Sequence, residues 1–142
     1  MSEAHDQVMA KIAREFADFP GTAGVAAKHL ETGEEIRFNA DDVTATASTI
    51  KVPILIELFR QVEAGEVSLD SRLAVTGASR APGSGILRDL SLGLELSVRD
   101  LATLMIIASD NTATNILIDL VGRERVNRTM AAFGYPQTVL RG

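Results

Sequence analysis

The apolar stretch that follows Ser48 constrains the fold of this 142-residue chain more than any other feature. Its large apolar side chains recur at helical spacing, on Ile54, Leu55, Leu58, Phe59 and Val62. The spacing predicts a helix over about 48–63 with these side chains on its inner side, ended by Gly65. Pro53 lies slightly deep for the first turn of a helix, so we expect a tightened or kinked start near Ser48.

A serine and a lysine open this predicted helix, three residues apart at Ser48 and Lys51. Residues at i and i+3 leave the same face of a helix, so the two side chains can meet. A serine hydroxyl becomes a nucleophile when a base takes its proton, and a lysine can be that base if its pKa is lowered, for example by burial. The alternative interpretation is a capping serine followed by a solvated lysine, a common pattern in helices.

The composition is that of an ordinary globular protein, and the length suits one domain. The net charge of -5 argues against a nucleic-acid or anionic-membrane surface, so we expect a small-molecule or protein partner. The chain has no cysteine, which excludes disulfides and thiol nucleophiles. The two histidines, His5 and His29, lie in different predicted elements without acidic residues at ligand spacing, so no metal site is expected.

The first residues, 1–6, are polar and acidic and lack the basic and apolar regions of a secretory signal. The chain as given is therefore expected to be cytoplasmic, or periplasmic or secreted if a signal has been removed. The longest apolar stretches, 101–108 and 116–121, are too short and too amphipathic to span a bilayer.

The first third of the chain predicts one helix and one hairpin. The helix is expected over 3–18, where apolar residues recur every four positions. Strand-like residues 24–30 and 35–38 flank a turn at 31–34, which predicts a β-hairpin. A two-stranded hairpin is marginal in water, so further strands or a helix are expected against it.

The rest of the chain predicts a largely helical region. Short extended pieces are expected at 67–70 and 73–75, and a loop at 81–85. Three helices follow. The first is opened by a capping box at Ser97, the second ends at Gly122, and the third covers 123–133.

A polar interruption, Ser109-Asp110-Asn111, separates the first two of these helices. A serine and an asparagine two apart can point the same way, giving a hydroxyl that relays a proton and an amide that holds a substrate amide. Asp110 would point the other way and bond backbone amides, so that the turn keeps its shape. The alternative is a plain helix-cap cluster, because all three residue types favour N-caps.

Together, these motifs resemble those of the class A β-lactamases and related penicillin-recognising serine hydrolases. The matching segments are Ser48-Thr49-Ile50-Lys51, the Pro82-Gly83-Ser84-Gly85 loop and Ser109-Asp110-Asn111, 61 residues after Ser48. The resemblance extends from the first helix to Leu140. It implies an α+β fold in which 1–142 are the N-terminal portion of one catalytic domain. Residues 1–46 would supply a helix and hairpin of an incomplete antiparallel sheet, and 47–142 a mostly helical part.

The resemblance also implies roles for four residues and requires no cofactor. Ser48 would be the acylated nucleophile and Lys51 its base or proton relay. Ser109 would pass the proton to the leaving nitrogen, and Asn111 would bind the substrate amide. The Ser48 N–H, at a helix N-terminus, would donate to the oxyanion. A β-lactam, a peptide or an ester remain open as the substrate.

The third motif of the family, Lys-Thr-Gly or Lys-Ser-Gly, is absent. The three lysines are Lys11, Lys28 and Lys51, and none precedes Thr-Gly or Ser-Gly. We therefore expect an N-terminal portion, unstable alone because its hairpin has an open edge. A separate polypeptide, the same chain before cleavage, or domain swapping in a homo-oligomer would complete it. The alternative function is a catalytically idle fragment or binding scaffold that needs a complementing C-terminal half.

Overall fold

A computed structural model describes residues 3–141 of the chain; the expectations for residues 1, 2 and 142 lie outside the described residues. The chain divides into two compact units that meet in sequence between Ala45 and Thr46. No helix in the described range is long and apolar enough to cross a membrane. Each unit is described by itself.

The first unit contains helix α1, Glu3–Glu15, and a hairpin of strands β1, Val25–Lys28, and β2, Glu35–Phe38. The hairpin is the predicted one, antiparallel with Val25 opposite Phe38. The helix is three residues shorter than the predicted 3–18, because residues 16–18 form a turn. The Phe16 ring, just past the helix, stacks on the Phe38 ring with centroids 5.9 Å apart.

This unit has almost no interior. No residue between 3 and 45 is buried, and α1 has no buried side chain. Large apolar side chains are open to water, with Leu30 89% and Val43 70% exposed. The hairpin therefore forms the small antiparallel sheet that the sequence predicts. Neither face of this sheet is buried under apolar side chains, as a two-stranded sheet needs for stability.

The second unit is mostly helical. After a 3-10 turn at Ala47–Ile50, its elements are α2 (Lys51–Glu63), β3 (Arg72–Ala74), a 3-10 turn (Leu87–Asp89), β4 (Glu95–Ser97), α3 (Val98–Ile107), α4 (Asn111–Val121) and α5 (Arg123–Ala132). The 3-10 turn is the tightened helix start expected from Pro53. Gly65 has φ of 73°, as the predicted end of α2 requires.

The extended piece predicted at 73–75 is present as β3, shifted by one residue, but the other strand predictions of this unit were wrong. Residues 67–70 form no strand, and the extended residues 72–74 pair with 95–97, a strand that was missed. The missed strand is only three residues long and runs directly into the N-cap of α3. Ser97 accepts a hydrogen bond from the Asp100 N–H at 3.0 Å, as predicted, and Arg72 lies opposite Ser97 in the sheet. The strand was missed because its last residue, Ser97, is also the N-cap residue that predicts the start of α3.

The core of the second unit forms around α2. Ile54 and Leu58 are fully buried and belong to one cluster with side chains of α3, α4 and α5, including Leu101, Met105, Leu117 and Val126. Phe59, predicted on the inner side of this helix, is 49% exposed, so that prediction was wrong. The helix carries apolar residues on more than one face, and spacing alone did not distinguish the face that this unit buries.

A buried carboxylate ties α2 to α5. Glu57 is 3% exposed, and its oxygens accept hydrogen bonds from Thr129 Oγ1 at 2.6 Å and Gln61 Nε2 at 2.7 Å. Arg125 Nε lies 3.2 Å from the same carboxylate. Burial raises the pKa of Glu57, but these hydrogen bonds and the charges of Arg125 and Arg60 outweigh burial and hold the pKa below its ordinary value.

Replacing Thr129 tests this network. Thr129→Val keeps the shape but leaves the ionised carboxylate short of one donor, so the free energy of unfolding at pH 7 should fall by about 1–3 kcal/mol. The ionised form of Glu57 stabilises the fold above the unfolded-state pKa, and this contribution is lost as pH falls through the lower folded-state pKa. The effect of the mutation should therefore shrink at pH 3. Urea unfolding followed by helical circular dichroism measures it, with exposed Thr103→Val as the control. An equal loss at both pH values would contradict the role of the charge.

Candidate active site

The first half of the site lies where the 3-10 turn meets α2. Ser48 is in the turn and exposed, whereas Lys51 is the first residue of α2 and only 4% exposed. Thr49 fixes the turn, since its N–H and Oγ1 both donate to the Thr46 carbonyl, at 3.1 and 2.5 Å. Ser48 is the second residue of the 3-10 turn, where the first N–H groups of a helix have no carbonyl partner within the helix.

The second half lies on the connection between α3 and α4. Ser109 has a φ of 51°, an unusual value for a residue with a side chain, and Asn111 begins α4. Both are half-buried and face Lys51. The sequence-predicted residues Ser48, Lys51, Ser109 and Asn111 are therefore brought together in one cluster.

Hydrogen bonds run through this cluster from surface to interior. Ser48 Oγ lies 2.9 Å from Ser109 Oγ, which in turn lies 2.8 Å from Lys51 Nζ. Lys51 Nζ also contacts the Ser109 carbonyl at 2.8 Å and Asn111 Oδ1 at 2.9 Å. The hydroxyl of Ser109 thus lies between Ser48 and Lys51 and links them through two hydrogen bonds.

The environment of Lys51 favours its neutral form. Burial lowers the pKa of the Lys51 amine below its ordinary value of 10.5, and the nearby charge of Asp110 opposes the shift only in part. An ammonium group has three N–H donors, and Lys51 Nζ has three oxygen neighbours. When neutral, it keeps two donors for the Ser109 carbonyl and Asn111 Oδ1, and its lone pair can accept the Ser109 hydroxyl proton. Both protonation states therefore fit the same geometry.

Asp110 restrains the connection between α3 and α4 through hydrogen bonds to backbone N–H groups. It is fully buried, and its carboxylate accepts from the N–H groups of Ile86 and Leu87 at 2.7 and 2.9 Å and of Ala113 at 2.9 Å. The sequence prediction that this side chain bonds backbone amides is confirmed. Its reach is wider than the predicted turn, because two of the three amides, those of Ile86 and Leu87, lie at the start of the second 3-10 turn.

That loop, around Gly83 and Gly85, lies against Asn111. Asn111 Nδ2 donates to the Pro82 carbonyl at 2.9 Å, and the Asn111 N–H donates to the Ser84 carbonyl at 3.0 Å. A Cβ on Gly83 would lie 2.7 Å from Asn111 Nδ2, and one on Gly85 would collide with Asp110. Both glycines also have positive φ, so a side chain there is disfavoured by backbone conformation as well as by the lack of space. The sequence reasoning missed the Pro82 carbonyl as a site group, although the two glycines marked the loop.

Comparisons with known proteins identify the family of this chain. A family model described as the β-lactamase enzyme family matches residues 7–142. The chain belongs to the β-lactamase enzyme family. It is 42% identical to a β-lactamase from Sphaerobacter thermophilus whose structure superposes with a TM-score of 0.83, covering 94% of this chain and 49% of that one. The confirmed expectations are the family and the α+β, mostly helical fold.

Two other relatives show the range of the family. A PBP-A mutant solved as an acyl-enzyme complex with penicillin G is 34% identical, with a TM-score of 0.86, over 91% of this chain and 50% of that one. A protein from Streptomyces cacaoi named β-lactamase regulatory protein BlaB is 26% identical over 84% of this chain and 39% of its own length. The chain thus spans between about two fifths and one half of the length of these relatives.

Removing the charge of Asp110 tests its place in the site. In Asp110→Asn, one carboxylate oxygen becomes an NH₂ group that faces backbone N–H donors, which should cost about 1–3 kcal/mol of unfolding free energy. The pKa of Lys51 should fall further, because the Asp110 charge that raises it is gone. Urea unfolding and NMR titration of the lysine measure the two effects. Asp119→Asn, an exposed position in α4, is the matched control, and equal behaviour of both variants would refute the assignment.

Proposed function

We propose that this chain carries the acylating machinery of a serine hydrolase, with Ser48 attacking the carbonyl of a β-lactam, peptide or ester. The observation that carries the proposal is the hydrogen-bonded path from exposed Ser48 through Ser109 to buried Lys51. A nucleophile must be open to the substrate, and its base must be poised to accept a proton near neutral pH. Ser48 is exposed, and burial moves the pKa of Lys51 downward, in the direction that a base requires.

Acylation proceeds in two balanced steps. First, Ser48 Oγ forms a bond to the carbonyl carbon while its proton moves to Ser109 Oγ and the Ser109 proton moves to neutral Lys51 Nζ. The carbonyl electron pair moves to oxygen and gives a tetrahedral oxyanion. Then the C–N or C–O bond to the leaving group breaks as the carbonyl re-forms, and a proton returns from Lys51 through Ser109 to the leaving atom. Lys51 ends neutral, and Ser48 ends acylated.

Backbone and amide groups complete this half of the site. The N–H of Ser48 stabilises the oxyanion, since a helix start carries a partial positive charge. Asn111 Oδ1 already accepts from Lys51, so the group that it offers to a substrate carbonyl is Nδ2. One of the two Nδ2 hydrogens bonds to Pro82, and the other is the donor available to the substrate.

The proposal includes a substrate class and a complementing partner, and the relatives support the first. None of its three lysines precedes Thr-Gly or Ser-Gly, so a second oxyanion donor and an anchor for a substrate carboxylate come from a complementing C-terminal half or a domain-swapped copy. The acyl-enzyme of the PBP-A mutant with penicillin G supports a β-lactam as the test substrate. By itself, the chain should acylate about 10²–10³-fold more slowly than the completed domain.

A second candidate is a chain that binds or is acylated without turnover. The relative from Streptomyces cacaoi, which is named as a regulatory protein, favours this alternative. The two candidates differ in deacylation. A completed protein that releases product repeatedly is a hydrolase, whereas one that keeps the acyl group after one equivalent is a binding module.

Trapping the acyl group tests the nucleophile. The chain, alone and joined to the second half of the Sphaerobacter thermophilus relative, should gain the mass of one penicillin on Ser48 when incubated with excess reagent. Ser48→Ala should gain none, because no hydroxyl remains to attack, and exposed Ser91→Ala should react as the parent does. Intact mass and peptide mapping are the measurements. Absence of an adduct on Ser48 from both forms would overturn the proposal.

The pH dependence of acylation tests the base. Because the neutral amine of Lys51 takes the proton, the acylation rate should rise with pH and level off above a pKa that lies below 10.5. Lys51→Arg keeps the charge but cannot lose a proton, so the rate should fall about 10²–10⁴-fold and lose this rise. Lys11→Arg, on α1, is the control. A rate that is independent of pH in the parent protein would argue against Lys51 as the base.

A further inference from the structure

A cavity of about 420 Å³ lies between α2 and α5, within the second unit. This α2–α5 cavity is lined by Glu57, Arg60, Ala64, Glu66, Arg125, Arg128, Thr129 and Ala132. The residues on each helix are three, four or seven positions apart, so each helix turns one face to the cavity. Arg60 follows Lys51 by about two and a half turns of helix, so the two side chains leave α2 on opposite sides.

Positive charge predominates in this lining, although the chain as a whole has a net charge of -5. The lining contains the guanidinium groups of Arg60, Arg125 and Arg128. It contains two carboxylates, those of Glu57 and Glu66, and Glu57 is ionised because its pKa is held below the ordinary value. Three cations and two anions leave one positive charge in the lining without a carboxylate to match it.

The contacts of Arg60 and Arg128 use only part of their hydrogen-bonding capacity. A guanidinium group has five N–H donors. Among the described residues, Arg60 donates from Nη1 to the Thr129 hydroxyl at 2.7 Å. The ion pair of Arg128 is to Glu124, a side chain that is 92% exposed, over a distance of 3.8 Å. Water screens an exposed pair of this length, so Arg128 can exchange it for another anion at little cost.

The cations of the cavity are held in place without a ligand. The guanidinium carbon of Arg60 lies 5.7 Å from the centre of the Phe133 ring, a cation–π distance. The Thr129 hydroxyl accepts from Arg60 and donates to Glu57, which fixes the guanidinium from a second direction. Arg125 is held by two carboxylates, at 3.2 and 2.7 Å. Binding groups that are fixed in advance lose less conformational entropy when a ligand arrives.

We propose that the α2–α5 cavity binds the carboxylate of a small organic acid. The planar guanidinium groups of Arg60 and Arg128 match a carboxylate with paired N–H donors, and one unmatched positive charge fits a monoanion better than a doubly charged phosphate group. Ala64 and Ala132 leave room for the rest of the acid, and the arginine stems give it apolar surface. The volume lies in the range of small-molecule sites. The inference is independent of the proposed function, because Lys51 lies on the other side of α2.

Titration with butyrate, a monocarboxylate with a short apolar tail, tests the inference. The measurement is the NMR shift of the arginine side-chain N–H signals. Butyrate should move the signals of Arg60 and Arg128 along a curve that saturates. Sodium chloride at the same ionic strength should give a smaller shift that does not saturate, and inorganic phosphate should bind more weakly than butyrate.

Two variants with parental helical circular dichroism separate shape from charge. Arg60→Lys keeps the charge but loses the planar pair of donors, so the affinity for butyrate should fall about 10–100-fold. Ala132→Leu fills the cavity without changing its charge and should also weaken binding. Arg99→Lys is the control, because Arg99 lies outside the cavity lining and pairs with Asp70. Ser48→Ala should bind butyrate as the parent does.

Three results would overturn the inference. The first is a butyrate shift no larger than that of chloride, and the second is tighter binding of phosphate than of butyrate. The third is parental affinity in both Arg60→Lys and Ala132→Leu. Loss of butyrate binding in Ser48→Ala would equally contradict it, since the acid would then occupy the proposed active site.

Discussion

The carboxylate of Asp110 is the interaction on which the arrangement of the site depends. A buried charge is expensive unless hydrogen bonds satisfy it, and three backbone amides from two segments do so. Those bonds cap α4 and join its start to the backbone at Ile86 and Leu87, directly after Ser109, whose φ is 51°. The position of the Ser109 hydroxyl between Ser48 and Lys51 therefore depends on the backbone that these bonds restrain.

The sequence predicted the positions of the helices and strands better than which of their sides are buried or paired. Helix ends marked by Pro53, Gly65 and Ser97 were found, because capping and φ preferences act locally. The orientation of Phe59 and the pairing of β3 with β4 were not, because both depend on which distant segments pack alongside. At the site, the motifs predicted which side chains meet. They did not predict that Ser109 separates the lysine from the nucleophile, since that order is set by the backbone of the α3–α4 connection.

The two units differ in how far they satisfy their own apolar residues. Residues 46–141 bury a continuous cluster around α2, and residues 3–45 bury nothing completely. A hairpin and one helix cannot remove enough apolar surface from water to offset the entropy of ordering the chain. The helical unit has the same shortage on a smaller scale on α2 and α3, where Phe59 is 49% and Ile107 is 77% exposed. We therefore expect the unit that contains the hairpin to be less stable than the helical unit.

The hydrogen bonds of Asn111 show how a half-site can be ordered before any substrate binds. Its Oδ1 accepts from Lys51 and its Nδ2 donates to Pro82, so the amide is already held in one orientation. The same contact joins the lysine to the loop, because Asn111 bonds to both. A site whose groups are fixed in advance spends less of the substrate's binding energy on ordering them. What the described residues order is the hydrogen-bonded path from Ser48 through Ser109 to Lys51 and the orientation of the Asn111 amide.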